Sequence, residues 1–243
     1  MVKITIDGRS AEVKRGTTVL SAAKALGIEI PTLCHHEGLA PEGNCRLCSV
    51  LVEERGRRKL VASCVYPINF AIEVWSRSPE VMRARRVILQ LLVNRNPKSP
   101  VIAALCAEYG VSREERFRHE ADLCIRCGRC ARACAVNGTQ AIEFAGRGFE
   151  RRISTPYDEA SRSCIGCLSC QMVCPTGKIT YEEKGGVREI WGRRFDLVKC
   201  RRCGKYFATR EMLEWARVPE EDRDYCENCR RFEESRRFLL KKS

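Results

Sequence analysis

Apolar and polar positions alternate over Val2–Ile6, break at Asp7-Gly8 and resume over Ala11–Val13, which predicts two strands joined by a hairpin turn. Thr17 or Thr18 then stands at the start of a helical pattern that runs through Leu26, with Gly27 where a helix C-terminus favours glycine. A long loop is predicted from Pro31 to Asn44, followed by strands near Ser49–Glu53, Leu60–Ser63 and Ile68–Trp75. Helical periodicity returns over Pro79–Asn94, ends before Pro97, and reappears near Val101–Tyr109. Gly185-Gly186 reads as a hinge after a cysteine-dense stretch, 119–183, and a last unit ends in a basic helix. The pattern thus predicts an α+β chain in four parts: a small mixed domain over 1–77, a helical linker over 78–120, a compact cysteine-rich domain over 121–185, and a C-terminal unit over 195–243.

Composition changes the picture through one residue type. The chain has 17 cysteines among 243 residues. It begins Met-Val-Lys-Ile-Thr-Ile-Asp-Gly, a strand pattern without the basic start, apolar run and small-residue cleavage site of a secretory leader. Its longest apolar stretch, Val87–Val93, is interrupted by Gln90 and is too short to span a bilayer. A reducing, cytoplasmic setting without a membrane span is therefore expected. Closely set Cys-x-x-Cys groups there read as metal ligands rather than disulfides.

Three constellations follow. Cys34, Cys45, Cys48 and Cys64 are spaced C-x10-C-x2-C-x15-C. Three thiolates on one loop and a fourth from a distant strand suit the compact core of a [2Fe–2S] cluster, and the predicted strands and helix suit a β-grasp domain around it. Gly38 and Gly43 are expected to fold the loop backbone over the sulfurs and aim amide N–H groups at them. The loop is longer than the plant-type C-x4-C-x2-C spacing; zinc or structural thiols are the alternatives, which the fold context disfavours.

The second constellation is a duplication. Cys124-Ile-Arg-Cys127-Gly-Arg-Cys130-Ala-Arg-Ala-Cys134 is echoed by Cys164-Ile-Gly-Cys167-Leu-Ser-Cys170-Gln-Met-Val-Cys174-Pro175, both reading C-x2-C-x2-C-x3-C. This is the bacterial ferredoxin run, in which the fourth cysteine ligates the other cluster. The expected assignment is Cys124, Cys127, Cys130 and Cys174 around one [4Fe–4S] cube, and Cys164, Cys167, Cys170 and Cys134 around a second cube close by. Ile125, Ile165, Leu168 and Val173 are expected to keep water from them. Ala135 stands where proline follows the last cysteine of the other run.

The third constellation is Cys200-Arg-Arg-Cys203-Gly204 with Cys226-Glu-Asn-Cys229, two knuckles that predict a tetrahedral four-cysteine site in a zinc-ribbon-like unit. Structural zinc is the expected metal, and a rubredoxin-like iron the rival. Cys106 lies in an apolar stretch and reads as a buried thiol. His35, His36 and His119 lie near cysteines but read as surface residues, not ligands. Metal-bound thiolates also reduce the formal charge of +13. Three oxidised clusters and one zinc, each with four thiolates, would lower it to about +5, so much of the basicity balances the centres themselves and no nucleic-acid partner is required.

On these residues a resemblance is clear. Pro31-Thr-Leu-Cys34-His-His-Glu-Gly38 through Gly43-Asn-Cys45-Arg-Leu-Cys48, then Arg83-Ala-Arg-Arg86 and the paired runs, resemble the N-terminal region of the large iron–sulfur subunit of NADH dehydrogenases. They are also similar to the diaphorase small subunit of NAD-reducing hydrogenases, as is Ala145-Gly-Arg-Gly148, and to the N-terminal part of iron-only hydrogenases. The resemblance covers residues 1–183 and implies an electron-transfer subunit of a cytoplasmic hetero-oligomer. Such a subunit would stand between a flavin/NAD(P)(H) subunit and a second redox catalytic subunit of hydrogenase, formate dehydrogenase or electron-bifurcating type. The chain shows no glycine-rich dinucleotide turn and no further cysteine set for a hydrogenase centre, so no catalytic site of its own is expected. These families also carry a third [4Fe–4S] site with one histidine and three cysteine ligands. The corresponding segment here, Asn94–Cys106, has one cysteine and no histidine, which predicts that this cluster is absent. The C-terminal four-cysteine unit is a second departure. A zinc-ribbon protein that binds nucleic acid and uses clusters only structurally is the alternative function.

Overall fold

A computed structural model describes residues 1–114 and 122–240. It contains two compact units, Met1–Arg132 with Cys174–Lys178, and Ala133–Val173 with Ile179–Ser243.

In the first unit the hairpin forms as expected: β1 (Val2–Ile6) pairs antiparallel with β2 (Arg9–Val13) around Asp7-Gly8. Thr18 caps α1 (Val19–Ala25), its Oγ1 accepting the Ser21 amide at 3.2 Å. β3 (Ser49–Glu54) and β4 (Arg57–Ala62) form a second hairpin, and β5 (Ile72–Trp75) enters the centre, parallel to β1 and antiparallel to β3. The order β2-β1-β5-β3-β4 with α1 against one face is a β-grasp. Ile4, Ile6, Val50, Val52 and Val74 alternate inward to meet Val19, Ala22 and Ala23, which is the period-2 and helical patterning read from the sequence. The expected last strand is shorter at its start. Ile68 is fully buried, yet its backbone is tied to the loop before α1, to Gly16 and Thr17, rather than to the sheet.

α2 (Pro79–Arg95), capped by Ser78, and α3 (Pro100–Tyr109), capped by Ser99 and closed by left-handed Gly110, form the linker. They bury Leu89, Ile102 and Tyr109 with Leu33 and Leu47 of the cysteine loop. Cys106 joins this apolar cluster as a buried thiol.

α4 (Arg129–Val136) begins in the first unit and ends in the second. The second unit then has a short hairpin of β6 (Glu143–Ala145) and β7 (Arg152–Ser154), the single turn α5 (Ser169–Met172), and a four-stranded antiparallel sheet. That sheet has the order β11-β10-β9-β8, from β8 (Glu182–Lys184), β9 (Val187–Ile190), β10 (Arg193–Lys199) and β11 (Tyr206–Thr209). Gly185-Gly186 is not a hinge. It is the two-residue turn joining β8 to β9, with φ of +61° and +81°. A side chain on Gly186 would strike the Tyr206 ring at 2.8 Å. α6 (Arg210–Trp215), capped by Thr209, and α7 (Glu227–Leu240) complete the unit. No helix among the described residues is long and apolar enough to cross a membrane.

Candidate metal centres

Cys48 immediately precedes β3 and Cys64 follows β4 by one residue. Because these strands pair with Ser49 opposite Ala62, the hairpin carries the two distant cysteines to one end, where the Ser63 amide bonds the Cys48 carbonyl at 3.2 Å. Cys34 and Cys45 meet them there, each amide donating to the other's Sγ at 3.4 Å. Hydrogen bonds from Cys45 and Cys64 hold the Cys34 thiol far below its usual range, and one from Cys64 brings Cys48 to about 6. Their donors Cys45 and Cys64 are pushed correspondingly up, first by sharing protons with those neighbours and then by burial. Four sulfurs gathered and hydrogen-bonded to one another in this way are arranged as a ligand set for a cationic centre. Of the two predicted loop glycines, Gly43 is left-handed (φ +69°), but the Gly38 amide donates to His36 Nδ1 rather than to a sulfur.

Arginines hold this loop. Arg85, 1% exposed on α2, donates to the carbonyls of Leu47 and Ser49 and to the Tyr109 hydroxyl. Arg132 on α4 grips the carbonyls of Cys34 and Ala40, and Arg129 that of His35. Asn44 of the loop reaches the Cys127 carbonyl at 3.4 Å. The Cys34–Cys48 loop and the first duplicated run are thus packed together within one unit, with Cys34, Cys45 and Cys127 in the same apolar cluster.

The two runs fold alike. In Cys124–Cys130 the residues Arg126 and Gly128 have φ of +54° and +74°; in Cys164–Cys170 the equivalent Gly166 and Leu168 have +66° and +63°. These left-handed residues turn successive amides toward sulfur, as the Arg126 amide does to Cys124 Sγ at 3.4 Å and the Gly166 amide does to Cys164. Burial raises the thiols of Cys124, Cys127 and Cys130, and in each case the Cys174 thiolate adds to the effect. Burial likewise raises Cys164 and Cys170, the latter to about 11, and there the added charge includes that of Cys134. The units divide the cysteines in the same crossed way: Cys174 lies with Cys124, Cys127 and Cys130, while Cys134 lies with Cys164, Cys167 and Cys170. The last four line one cavity. Ile125 is buried beside the first set; Ile165, Leu168 and Val173 are half-buried beside the second or adjoining it. Further donors reach the second set's sulfurs: Asn137 Nδ2 to Cys167 at 3.3 Å, the Ala141 amide to Cys134 at 3.1 Å, and Thr139 Oγ1 paired with Cys134 Sγ at 3.1 Å.

The four Sγ atoms of Cys200, Cys203, Cys226 and Cys229 lie within 4.8 Å of one another, and Cys203 and Cys226 are 3.8 Å apart. Sulfurs at about 2.3 Å from a tetrahedral zinc would be about 3.8 Å apart. Burial works to raise the Cys200 thiol, but amides of Cys203, Cys226 and Arg202 outweigh it and bring the group down to about 6. His119 lies outside the described residues.

Sequence reasoning located the cysteines but missed what holds them. Arg95 and Asn96 at the end of α2 bond the carbonyls of Cys124 and Leu123, at 2.8 and 2.6 Å. Arg193 on β10 bonds the Cys164 carbonyl, Thr209 that of Ile165 and Arg188 that of Gly166, at 2.5–2.6 Å. A guanidinium spent on a carbonyl leaves no local sequence signal. The excess of basic residues was the only hint.

These centres define an iron–sulfur electron-transfer protein. Residues 1–79 match the model of a 2Fe-2S iron-sulfur cluster binding domain, and residues 118–181 that of a 4Fe-4S dicluster domain. The chain is 33% identical over 215 residues to the NADP-reducing hydrogenase subunit HndD of Solidesulfovibrio fructosivorans, covering 75% of this chain and 36% of that protein. It is 32% identical over 216 residues to the NADH-ubiquinone oxidoreductase 75 kDa subunit of Reclinomonas americana, covering 79% and 31%. To the NADPH-Fe(3+) oxidoreductase subunit alpha of Geobacter sulfurreducens it is 33% identical over 204 residues, covering 74% and 24%. A crystal structure of NAD+-reducing [NiFe]-hydrogenase in the H2-reduced state superimposes with a TM-score of 0.55 at 31% identity, over 63% of this chain and 74% of that one. The chain belongs to the family of iron–sulfur subunits of NAD(P)-linked hydrogenases and NADH dehydrogenases. It spans about a quarter to a third of the length of the curated relatives it matches.

Proposed function

We propose that the chain relays single electrons between a flavin/NAD(P)(H) subunit and a second redox catalytic subunit within a cytoplasmic hetero-oligomeric complex. Cys34, Cys45, Cys48 and Cys64 hold a [2Fe–2S] cluster, and the crossed sets hold two [4Fe–4S] cubes. Cys200, Cys203, Cys226 and Cys229 hold a structural zinc. The clusters supply one-electron storage when bound, and the residues present supply thiolates, directed amides and exclusion of water. The observation that carries the reading is the crossed gathering of Cys174 with the first run and Cys134 with the second. Such an exchange has no use in a single-metal knuckle.

The segment in which relatives carry a site of one histidine and three cysteines offers only the buried Cys106, and the [2Fe–2S] loop packs directly on the first run. Electrons on this reading pass between those two centres without a third. The buried guanidiniums of Arg85, Arg132 and Arg188 are committed to backbone carbonyls, which argues against a basic nucleic-acid surface built from them. The test is anaerobic purification of the native complex, with its subunits identified and its metals counted. About ten irons and one zinc per chain are expected, with separate signals from the reduced centres. About six irons would defeat the two-cube assignment, and a chain that copurifies with no redox partner would defeat the relay.

A further inference from the structure

The second cube's cavity has a wall that neither matched domain supplies. Trp191 joins β9 to β10, at the first position of a two-residue turn closed by Gly192, with Ile190 opposite Arg193. Such turns need left-handed backbone at both positions, and asparagine or glycine normally takes the first. Here an indole occupies it, at φ +53°. A bulky side chain kept in this conformation has something to do, since strain of this kind survives where the surroundings require it.

The side chain enters the cavity lined by Cys134, Cys164, Cys167 and Cys170, beside Ile190. Its Nε1 is buried and finds no hydrogen bond of ordinary geometry among the described residues. A buried, unspent N–H is rare in a folded protein. Beside it in that cavity is the Cys170 sulfur. Of the three tryptophans in the chain, Trp215 by contrast spends its N–H on the Asn137 carbonyl at 2.8 Å.

We propose that Trp191 donates its indole N–H to the Cys170 sulfur of the second cube and thereby raises that cube's reduction potential. This rests on Cys134, Cys164, Cys167 and Cys170 being cube ligands. Reduction adds one electron, and so one unit of negative charge, to the cube. A fixed N–H aimed at a ligand sulfur stabilises the reduced state more than the oxidised one. The C-terminal sheet, beyond the dicluster domain at 118–181, therefore sets the redox level of a centre inside that domain.

The test uses the full chain, matured anaerobically, and Trp191→Phe, which keeps the ring and loses the donor. Potentiometric titration followed by EPR should show one cube midpoint falling by about 59 mV, a tenfold change in its one-electron equilibrium, with the other cube and the [2Fe–2S] centre unmoved. An unchanged midpoint, or equal shifts of both cubes, overturns the proposal. A second measurement does not depend on the variant folding. With 15N-indole labelling, the reduced wild-type protein should show a nitrogen coupling to one cube by pulsed EPR, and its absence overturns the proposal equally. Wild-type protein with about six irons would instead remove the cube assignment on which the proposal rests.

Discussion

The two duplicated runs share a backbone and differ in what it rests on. Each places left-handed residues at the third and fifth positions, each turns an amide to its first cysteine, and in each an arginine grips that cysteine's carbonyl. Yet the arginine of the first run, Arg95, ends a helix, and that of the second, Arg193, opens a sheet strand. The glycines are also exchanged. Arg126 and Gly128 in one run correspond to Gly166 and Leu168 in the other. A cluster run therefore demands a backbone path and filled carbonyls. It leaves open which element fills them: a helix end in one copy and the C-terminal sheet in the other.

The largest effect should come from exchanging the third residues. Gly166→Arg drives a Cβ to within 2.9 Å of the Phe195 ring and 3.0 Å of Thr209, in a backbone already at φ +66°. Overpacking of this kind costs about 3 kcal/mol or more, and the iron count should drop by about four. The reverse change, Arg126→Gly, should keep all the iron. Equal iron in both variants would end the claim that the two foundations differ.

Next come the fourth cysteines. Cys134→Ser should degrade the EPR signal of the cube nucleated by Cys164, Cys167 and Cys170, and Cys174→Ser that of the cube nucleated by Cys124, Cys127 and Cys130. If each variant damages only the cube of its own run, the crossed assignment is wrong.

Smaller effects should separate the braces. Arg188→Ala removes a buried donor to the Gly166 carbonyl and leaves Glu183 without the partner it now holds at 2.7 Å. A loss of about 1–3 kcal/mol is expected in thermal unfolding, with faster iron release from the second cube alone. Arg95 is more exposed, so Arg95→Ala should cost about 1 kcal/mol and touch only the first. The least change is expected on treating the protein with a zinc chelator, aimed at the four-cysteine C-terminal site. The visible colour and all three reduced-cluster signals should persist, while the C-terminal knuckles lose protection from hydrogen exchange. A bleached sample would show that the four-cysteine site holds iron.

Much of this protein was legible in its sequence because its chemistry is local. Spacing alone brought together Cys124, Cys127 and Cys130, and Cys164, Cys167 and Cys170, since three ligands on one turn need only short-range geometry. The β-grasp was readable from alternation, and Thr18, Ser78 and Ser99 sit where the helix starts were expected. What could not be read was long-range. Arg85, Arg188 and Arg193 look like ordinary surface charges until the fold carries each to a carbonyl between 22 and 38 residues away. Gly185-Gly186 suggested flexibility, because two glycines look the same in a hinge and in a tight turn until strands pair on both sides. Trp191 had no motif at all. Whether an indole N–H has a role is decided by which sulfur it faces, and only the closing of the C-terminal sheet against the Cys164–Cys170 run brings the two together.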